Sequence, residues 1–360
     1  MSDVALITGE EGKTDAPITF FRPIKRNVPN LRDKVDRLLI SARSGDQVLF
    51  GVESEEDFAV CQKACDEGPV SVSARVVRCQ KQSVPNPKIA KLMVLAPHAV
   101  HERWVVTDSE ALLDPEFVDR FRAEWIETGA TALTAGYRFT GATSWPQRLD
   151  HLPALLTLWP GLVVTDWATL HAPSGLGFTL GACTGVQRAA LEDIGGWESL
   201  GNYLAEDHRL GSLLAAKEKP VRLSREILTL DADPMGRSGL TGWVDWLQHQ
   251  HRVTVTYRAC NPGGTFGMIF THGVSWAILF VLLHLSSPLG WSLLGVTVAA
   301  RLATAGMNAR YLGFPATLLG ILAASVAETG FWLVSWFPLP VRWGTRLLHL
   351  GKGGVITKIV

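Results

Sequence analysis

The sequence has no excess of charge of either sign. Its 360 residues include 34 Lys and Arg and 34 Asp and Glu, so the formal net charge is +0 at pH 7. Proteins that bind nucleic acid through its phosphates carry a basic surface, and this balance gives no reason to expect one. The distribution of charge along the chain is more informative than the total.

Cysteine is scarce as well, and the five residues are an odd number without a dense framework. They predict the reduced thiols of a cytosolic protein rather than disulfides. Cys61 and Cys65 are one helical turn apart, but no second pair of ligands follows, so a zinc site is not expected. The cysteines are Cys61, Cys65, Cys79, Cys183 and Cys260.

Two common sequence signals are also missing. The N-terminal text MSDVALITGEEGKTDAP has acidic residues where a signal peptide has basic ones, and its apolar part is short, so no signal peptide is expected. No GxxxxGK[ST] loop occurs anywhere, which excludes a P-loop as the means of holding phosphates.

One long stretch of the chain, residues 259–300, contains no charged side chain. Loops between buried elements of a soluble core usually carry charge, so we divide the chain near Arg258. Residues 1–258 are expected to form a soluble domain, 259–341 a membrane region of two to three apolar helices, and 342–360 a basic tail. The charged residues beyond Arg258 are Arg301, Arg310, Glu328, Arg342, Arg346, Lys352 and Lys358.

Three apolar runs make up the expected membrane region, at 268–285, 291–307 and 311–337, each near the length that crosses a bilayer. A buried helical bundle is the alternative, which three consecutive runs disfavour. Because basic residues prefer the cytoplasmic side, the tail and the soluble domain are both expected there, which requires an even number of crossings. The third run, with Pro315 and Glu328, is then expected to be re-entrant or interfacial.

The soluble part alternates strand and helix patterns, which predicts an α/β domain with a mostly parallel sheet. In such sheets, ligands bind beyond the carboxyl ends of the strands, which directs attention to residues 22–25, 53–57 and 108–110. The predicted strands are 18–25, 47–52, 72–79 and 103–108, and the predicted helices are 31–42, 57–67 and 86–100.

Two acidic pairs have both a chemical and an ordinary interpretation. Asp108 and Glu110 follow a buried strand and have the hard oxygen ligands that suit Mg²⁺ or Mn²⁺, or they are turn residues. Glu206 and Asp207 stand at the start of a predicted helix, where they interact favourably with its dipole or supply a general base. The residues alone leave both alternatives open.

Six blocks, in order, resemble the ceramide glucosyltransferase family, whose bacterial members include hopanoid-associated glycosyltransferases. The blocks are RPIK, LFGVESEEDFAV, NPKIAKLM, VVTDSEALLDPEF, GACTGVQRAALEDIGGWESLGNYLAEDHRLG and HQHRVTVTYR, and the resemblance spans residues 17–354. It implies a GT-A fold followed by membrane helices. It also implies inverting transfer of a hexose or N-acetylhexosamine from a UDP-sugar to a lipid hydroxyl, on ceramide or a hopanoid polyol, with Mg²⁺ or Mn²⁺.

The same resemblance implies roles for individual residues. Asp207 matches the base of the EDxxLG motif, and Arg252 matches the arginine of the (Q/R)xxRW motif. Asp108 and Glu110 match the metal-binding pair. The residues expected near the nucleotide sugar are Pro23, Glu53, Asp57, Lys88 and Asp108, and those expected near the acceptor or diphosphate are Trp197, Glu206 and His249.

The sequence departs from the family pattern at two points. His249 stands at the first position of the (Q/R)xxRW motif and Val253 replaces its Trp, which puts the stacking role in doubt. The usual N-terminal transmembrane helix is not expected either, so anchoring is assigned to the C-terminal region. The alternatives are a processive polysaccharide synthase and an inactive membrane scaffold of the same fold. No nucleic acid and no obligatory protein partner is expected.

Overall fold

The structure is a computed structural model that describes residues 16–80, 83–231, 239–314 and 316–360. Two parts of the sequence discussed above lie outside the described residues. They are residues 1–15, where no signal peptide is expected, and Pro315 in the third apolar run. The elements of the first third follow the predicted alternation closely. They are β1 (Ile18–Pro23), α1 (Leu31–Ser41), β2 (Gln47–Val52), α2 (Glu55–Glu67), β3 (Ser73–Arg78), α3 (Pro87–Leu95) and β4 (Arg103–Thr107).

The middle of the chain completes the domain and includes one continuous helical segment in which a π-helical stretch, Ala154–Leu158, joins two α-helices. Its elements are β5 (Ala111–Leu112), α4 (Pro115–Thr128), β6 (Ala132–Thr140), α5 (Trp145–Pro153), α6 (Trp159–Thr169), β7 (Cys183–Gln187), α7 (Arg188–Asp193), α8 (Glu206–Ala216) and β8 (Val221–Asp231).

The C-terminal third is helical and then ends in strands. The expected domain boundary near Arg258 falls inside a 22-residue helix. The elements are α9 (Gly239–Cys260), α10 (Pro262–Gly267), α11 (Gly273–Leu283), α12 (Pro288–Leu312), α13 (Leu318–Ser335), β9 (Val341–Trp343), β10 (Arg346–Leu350) and β11 (Ile356–Ile359).

Eight strands form one sheet in the order β3-β2-β1-β4-β7-β6-β8-β5. The pairs β2–β3, β1–β2, β1–β4 and β6–β8 are parallel. Strand β7 is antiparallel to both of its neighbours, and β5 is antiparallel to β8. Together with the helices and the apolar C-terminal region, this mostly parallel sheet confirms the predicted α/β class of fold.

Both faces of the sheet are covered, which explains why β1 and β2 are buried at every position. Side chains of α1, α2 and α4 form the core on one face, including Leu38 and Phe121. Side chains of α3, α7 and α8 form the core on the other face, including Leu92 and Leu210. Burial on both faces accounts for the continuous apolar runs of these strands.

In the part of the chain that the structure describes, two helices are long and apolar enough to span a membrane, α12 with 25 residues and α13 with 18. The segments Pro262–Thr271 and Gly273–Leu283 meet the same criterion only together, and they are bent by 53°. The third apolar run was expected to be re-entrant or interfacial, which stays a prediction. The bend lies in the first run. There His272, with ψ of 36°, interrupts the helix between the two segments.

An ion pair explains how a charge is tolerated in the third run. Glu328 of α13 accepts a hydrogen bond from Arg301 of α12 and another from Thr157, the latter at 2.8 Å. Arg301 also donates to the backbone oxygen of Leu156 at 2.7 Å, and Asn308 donates to that of Leu155 at 2.6 Å. These groups connect α12 and α13 to the π-helical stretch of the sheet domain.

The C-terminal residues, which were expected as a basic tail, include three strands. Strands β9, β10 and β11 make a separate antiparallel sheet. Its inner side packs Val341, Leu348 and Ile356 against Leu204 and Val255 of the large domain. The alternation of buried apolar and exposed basic residues produces one buried face, which is the usual strand pattern.

Replacing Arg301 by Met is expected to lower the free energy of unfolding by about 3–5 kcal/mol, because Glu328 would remain buried without its counter-ion. Chemical denaturation of the full chain in detergent micelles measures this. Arg310→Met is the matched control, since Arg310 lies on the same helix but is exposed. Equal losses in both variants would contradict a specific role for the ion pair.

Candidate active site

The functional residues expected from the sequence meet at the carboxyl edge of the parallel strands. Asp108 directly follows β4, Glu53 directly follows β2, and Pro23 is the last residue of β1. Lys88 lies in the first turn of α3, which begins with Asn86 as its cap and Pro87 at the first position. The Asn86 side-chain oxygen accepts hydrogen bonds from the amides of Lys88 and Ile89, which fixes that turn.

Lys88 is the centre of the charged cluster. Its ammonium nitrogen lies 2.8 Å from Oδ1 of Asp108 and 2.9 Å from Oε1 of Glu206. It also donates to the backbone oxygen of Gly181 at 2.9 Å. Burial would lower the pKa of Lys88, but the carboxylates of Asp108 and Glu206 outweigh it and raise that pKa. The side chain therefore stays charged at every ordinary pH.

Asp207 stands at the start of α8 with both oxygens engaged by backbone amides. Oδ2 accepts a hydrogen bond from Gly181 at 2.8 Å, and Oδ1 accepts one from His208 at 2.7 Å. Burial and the neighbouring Glu206 raise the pKa of Asp207 to about 6, while Lys88 acts in the opposite direction. A carboxylate of this kind is ionised at neutral pH and basic enough to accept a proton.

Gly181 explains how the backbone comes so close to this carboxylate. A β-carbon at this position would lie 3.0 Å from Oδ2 of Asp207 and 3.3 Å from the Lys88 nitrogen. Any larger residue would therefore push apart the two groups that the site holds together. Glycine suits this position because of this close approach rather than because of an unusual backbone angle.

The acid pair expected to hold a metal ion is bound by two lysines in this structure. Asp108 pairs with Lys88, and Glu110 pairs with Lys25 at 2.6 Å and accepts from Ser109 at 3.0 Å. Burial alone would raise the pKa of Asp108, but Lys88 and Lys25 hold it below its usual range. Within the described ranges, no group of three or more His, Cys, Asp and Glu side chains forms an all-protein metal cage.

A divalent ion at this edge would still find a suitable ligand. Mg²⁺ is commonly held by one or two carboxylates together with substrate phosphates, so a three-residue cage is not required. The Asp108 side chain is 28% exposed and fits that role. The Glu110 side chain is only 9% exposed and both of its oxygens have partners, so it fits only if Lys25 releases it.

The other residues expected near the nucleotide lie farther along the same edge. Glu53 is bound by Lys91 at 2.8 Å and by Arg26 at 3.0 Å. Burial acts to raise the pKa of Glu53, and these two cations outweigh it and lower that pKa. Asp57 sits in the first turn of α2, where its carboxylate accepts a hydrogen bond from Ser54 at 2.6 Å.

Helix α9 carries the remaining candidates. Burial lowers the pKa of Arg252 from its usual value, and Asp150, Glu206 and Glu110 act against this shift. No ion pair to Arg252 occurs among the residues that the structure describes. His249, in contrast, lies 2.7 Å from Oδ1 of Asp150, so it is held by α5 rather than left open to a ligand.

Trp197 packs in the core and also lines the candidate site. Its ring stacks on that of Trp104 with centroids 6.3 Å apart and an interplanar angle of 15°, inside the core that covers the sheet. It also lines a cleft whose empty volume is ≈ 330 Å³ including open solvent, together with Lys88, Glu206 and Asp207. Trp197 is therefore both a core residue and a lining residue of the cleft.

Comparisons with known proteins place the chain in a family. The sequence profile of glycosyl transferase family 21 matches residues 8–356, nearly the whole chain. The chain belongs to glycosyl transferase family 21. This confirms the resemblance to ceramide glucosyltransferases that the six sequence blocks indicated, and it makes the chain a glycosyltransferase. No curated protein sequence matches it.

Solved structures with distant similarity belong to other sugar-handling proteins. The mannosyltransferase PcManGT from Pyrobaculum calidifontis, in complex with GDP-Man and Mn²⁺, is 14% identical, with 88% of each chain covered and a TM-score of 0.48. Glucosyl-3-phosphoglycerate synthase from Mycobacterium tuberculosis, in complex with Mg²⁺ and UDP, is 15% identical. The match covers 68% of this chain and 79% of the synthase, with a TM-score of 0.41.

Two residues that shape this family 21 site, Gly181 and Asp150, were not among the sequence candidates, and Arg22 was expected only as part of the range 22–25. Gly181 makes hydrogen bonds with both Asp207 and Lys88, and Asp150 pairs with His249. The fully buried Arg22 donates to the hydroxyl group of Thr107 at 3.1 Å and to the backbone oxygen of Lys34 at 2.7 Å. Burial lowers the pKa of Arg22 to about 10, against the pull of nearby acidic groups. Arg22 lies in the block RPIK and Gly181 opens the block GACTGVQRAALEDIGGWESLGNYLAEDHRLG, so the resemblance marked both stretches, whereas Asp150 lies in none of the six blocks.

We expect sugar transfer by this family 21 chain to fall as the pH drops through about 6, because Asp207 becomes protonated there. In Lys88→Met the acidic limb should move to higher pH, since Lys88 lowers the pKa of Asp207 in the native protein. The pH profile of kcat measures both effects. Lys91→Met is the control, because Lys91 pairs with Glu53. An unmoved limb in Lys88→Met would contradict the coupling.

Proposed function

We propose that the chain transfers a hexose or an N-acetylhexosamine from a UDP-sugar to a hydroxyl group of a membrane lipid, with inversion at the anomeric carbon. Ceramide and hopanoid polyols are the acceptors that the family resemblance favours. Asp207 is the general base, Arg252 and Lys88 balance the charge of the diphosphate, and the UDP-sugar lies along the edge that contains Pro23, Glu53, Asp57 and Asp108.

The observation that carries this proposal is the raised pKa of Asp207 together with its fixed position. Inversion needs one direct displacement, in which the attacking hydroxyl loses its proton to a positioned base. The Asp207 carboxylate has a pKa of about 6 and a location fixed by Gly181, beside the cations that would face the donor. Glu206 pairs with Lys88 and accepts from Asn86 at 3.1 Å, so we assign it an orienting role.

The leaving UDP gains negative charge as its bond to the sugar breaks. Asp108, and Glu110 if Lys25 releases it, would hold Mg²⁺ or Mn²⁺ against the diphosphate oxygens. When bound, the ion supplies electrostatic stabilisation of the leaving group. The cations of this chain act at the same place, since Lys88 is fixed beside Asp108 and Arg252 lies in the field of Glu206 and Glu110.

Two exposed apolar stripes support a lipid acceptor drawn from a membrane. On α6 and just after it, Val163, Val164, Trp167 and Leu170 are exposed and recur with helical spacing. A second stripe occurs on α9, with Leu240, Trp243, Val244 and Leu247. Helix α9 packs directly on α13, so its stripe continues the apolar surface of the helices that are long enough to span a membrane. Helices of this kind lie in the interface of a bilayer.

Membrane attachment on the cytoplasmic side completes the proposal. Two crossings by α12 and α13 would leave the sheet domain and the C-terminal sheet on one side of the membrane. The exposed basic residues of the C-terminal sheet, Arg342, Arg346, Lys352 and Lys358, favour the cytoplasmic side by the positive-inside rule. In this arrangement the bent pair of segments that precedes α12 would enter the membrane without crossing it.

Asp207→Asn keeps the shape of the side chain but removes its basicity. General-base assistance contributes about 10²–10⁴-fold, so kcat should fall by at least that factor while binding of the UDP-sugar changes little. UDP release with vesicles of ceramide or hopanoid polyol as acceptor measures transfer, and calorimetric titration measures donor binding. A near-normal kcat in this variant would contradict the assignment of the base.

Glu206→Gln is the matched control, because the two acids are adjacent in α8. It should retain more activity than Asp207→Asn, since Gln still accepts from Asn86. A larger loss in Glu206→Gln than in Asp207→Asn would reverse the two roles. A further outcome is that the wild type hydrolyses the UDP-sugar with water and yet transfers sugar to neither ceramide nor the hopanoid polyol. That result would contradict the lipid acceptor and leave the donor assignment intact.

Asp108→Asn should weaken UDP binding in the presence of Mg²⁺ or Mn²⁺ but have little effect in EDTA. Glu110→Gln should have a smaller effect, because Glu110 is already bound by Lys25 and Ser109. Calorimetric titration of UDP under the three conditions gives the comparison. If EDTA leaves the affinity of the wild-type chain unchanged, a metal has no part in donor binding.

A further inference from the structure

The C-terminal sheet is paired with the loop that leads into Asp207. The backbone amide of Leu204 donates to the oxygen of Gly354 at 3.1 Å, and the amide of Ile356 donates to the oxygen of Asn202 at 2.8 Å. Between these bonds, Tyr203 and Val355 form an antiparallel bridge. Residues 202–204 therefore act as a short extra strand against the end of the chain.

A buried cluster supports these bonds. Leu204 packs with Val341, Leu348 and Ile356 of the C-terminal sheet and with Val255 of α9. Val255 is 2% exposed and lies three residues after Arg252, on adjoining turns of the same helix. The cluster consequently touches both the loop before Asp207 and the helix that carries Arg252.

Helix α8 depends on these contacts because its start has no side-chain cap. Ala205 occupies the capping position and makes no side-chain hydrogen bond there. Helices normally use Ser, Thr, Asp or Asn at this place to satisfy the first amides. Here the preceding loop is fixed from outside, by Asn86, which donates to the oxygen of Tyr203 at 2.8 Å, and by the C-terminal sheet on the other side.

A close packing point connects the same sheet to the end of α9. Gly354 has φ of +78°, which favours glycine, and a β-carbon there would lie 3.0 Å from Sγ of Cys260. Cys260 is the last residue of α9. The turn between β10 and β11 is thus held against α9 at one point and against residues 202–204 at another.

We propose that the C-terminal sheet, β9 to β11, is a positioning element that sets Asp207 and Arg252 at their working separation. Ile356 and Leu204 are its principal positioning residues, and neither lines the cleft that contains Asp207. The proposal rests on the proposed function, in that Asp207 is the base and Arg252 faces the diphosphate. Because residues 336–340 connect β9 directly to α13, the sheet also links the site to the helices that are long enough to span a membrane.

The test uses Ile356→Ala in the full chain, reconstituted in lipid nanodiscs. Hydrogen exchange of the amides of residues 202–210 should become faster, while that of β1 and β2 stays unchanged. The kcat for sugar transfer should fall about 10- to 100-fold, because a misplacement of about 1 Å can cost about 100-fold. The KM for the UDP-sugar should remain within about two-fold, since the donor edge is not altered.

Ile359→Ala is the matched control, being the same change on the same strand at an exposed position. It should leave both exchange and kcat as in the wild type, and Ile356→Val should restore most of what Ile356→Ala loses. Unchanged exchange at 202–210 in Ile356→Ala would overturn the proposal, as would faster exchange throughout the domain. Absence of any transfer by the wild type would refute the proposed function instead, while exchange still decides whether the sheet holds the loop.

Discussion

The charge on Lys88 is the constraint on which the site depends. Three carboxylates from different elements, Asp108 after β4 and Glu206 and Asp207 at the start of α8, meet at one edge of the sheet, and they would repel each other without a cation between them. The ammonium group of Lys88 connects α3, β4 and α8 around the cleft. The cluster retains a net negative charge, which leaves it suited to a further cation accompanying the donor.

The parts of the fold that could be predicted are those whose pattern is local. Strands β1 to β4 and helices α1 to α3 were found because apolar periodicity and turn residues act over a few positions. The antiparallel insertion of β7, the bend at His272 and the C-terminal sheet depend on distant partners. The basic residues of that sheet resemble a solvated tail, because its apolar face has meaning only against Leu204 and Val255.

The residues of the site divide in the same way, into those that a sequence pattern identifies and those whose role depends on distant partners. Asp207, Asp108 and Lys88 were identified through sequence blocks, and the structure brings them together. Gly181 lies in the same block as Asp207, but the role of a glycine in close approach is visible only once the carboxylate beside it is known. His249 was expected near the diphosphate, and its pairing with Asp150 arises from a contact between helices almost a hundred residues apart in the chain, which no local pattern reveals.

The pairing of residues 202–204 with residues 354–356 has a consequence for folding. Helices α9 to α13 lie between these two segments in the chain, so the loop before Asp207 gains its partner only once that intervening chain has folded back on the domain. Contacts of such long sequence separation form late in folding. An intermediate in which the large sheet is already complete would therefore still lack a fixed loop before Asp207.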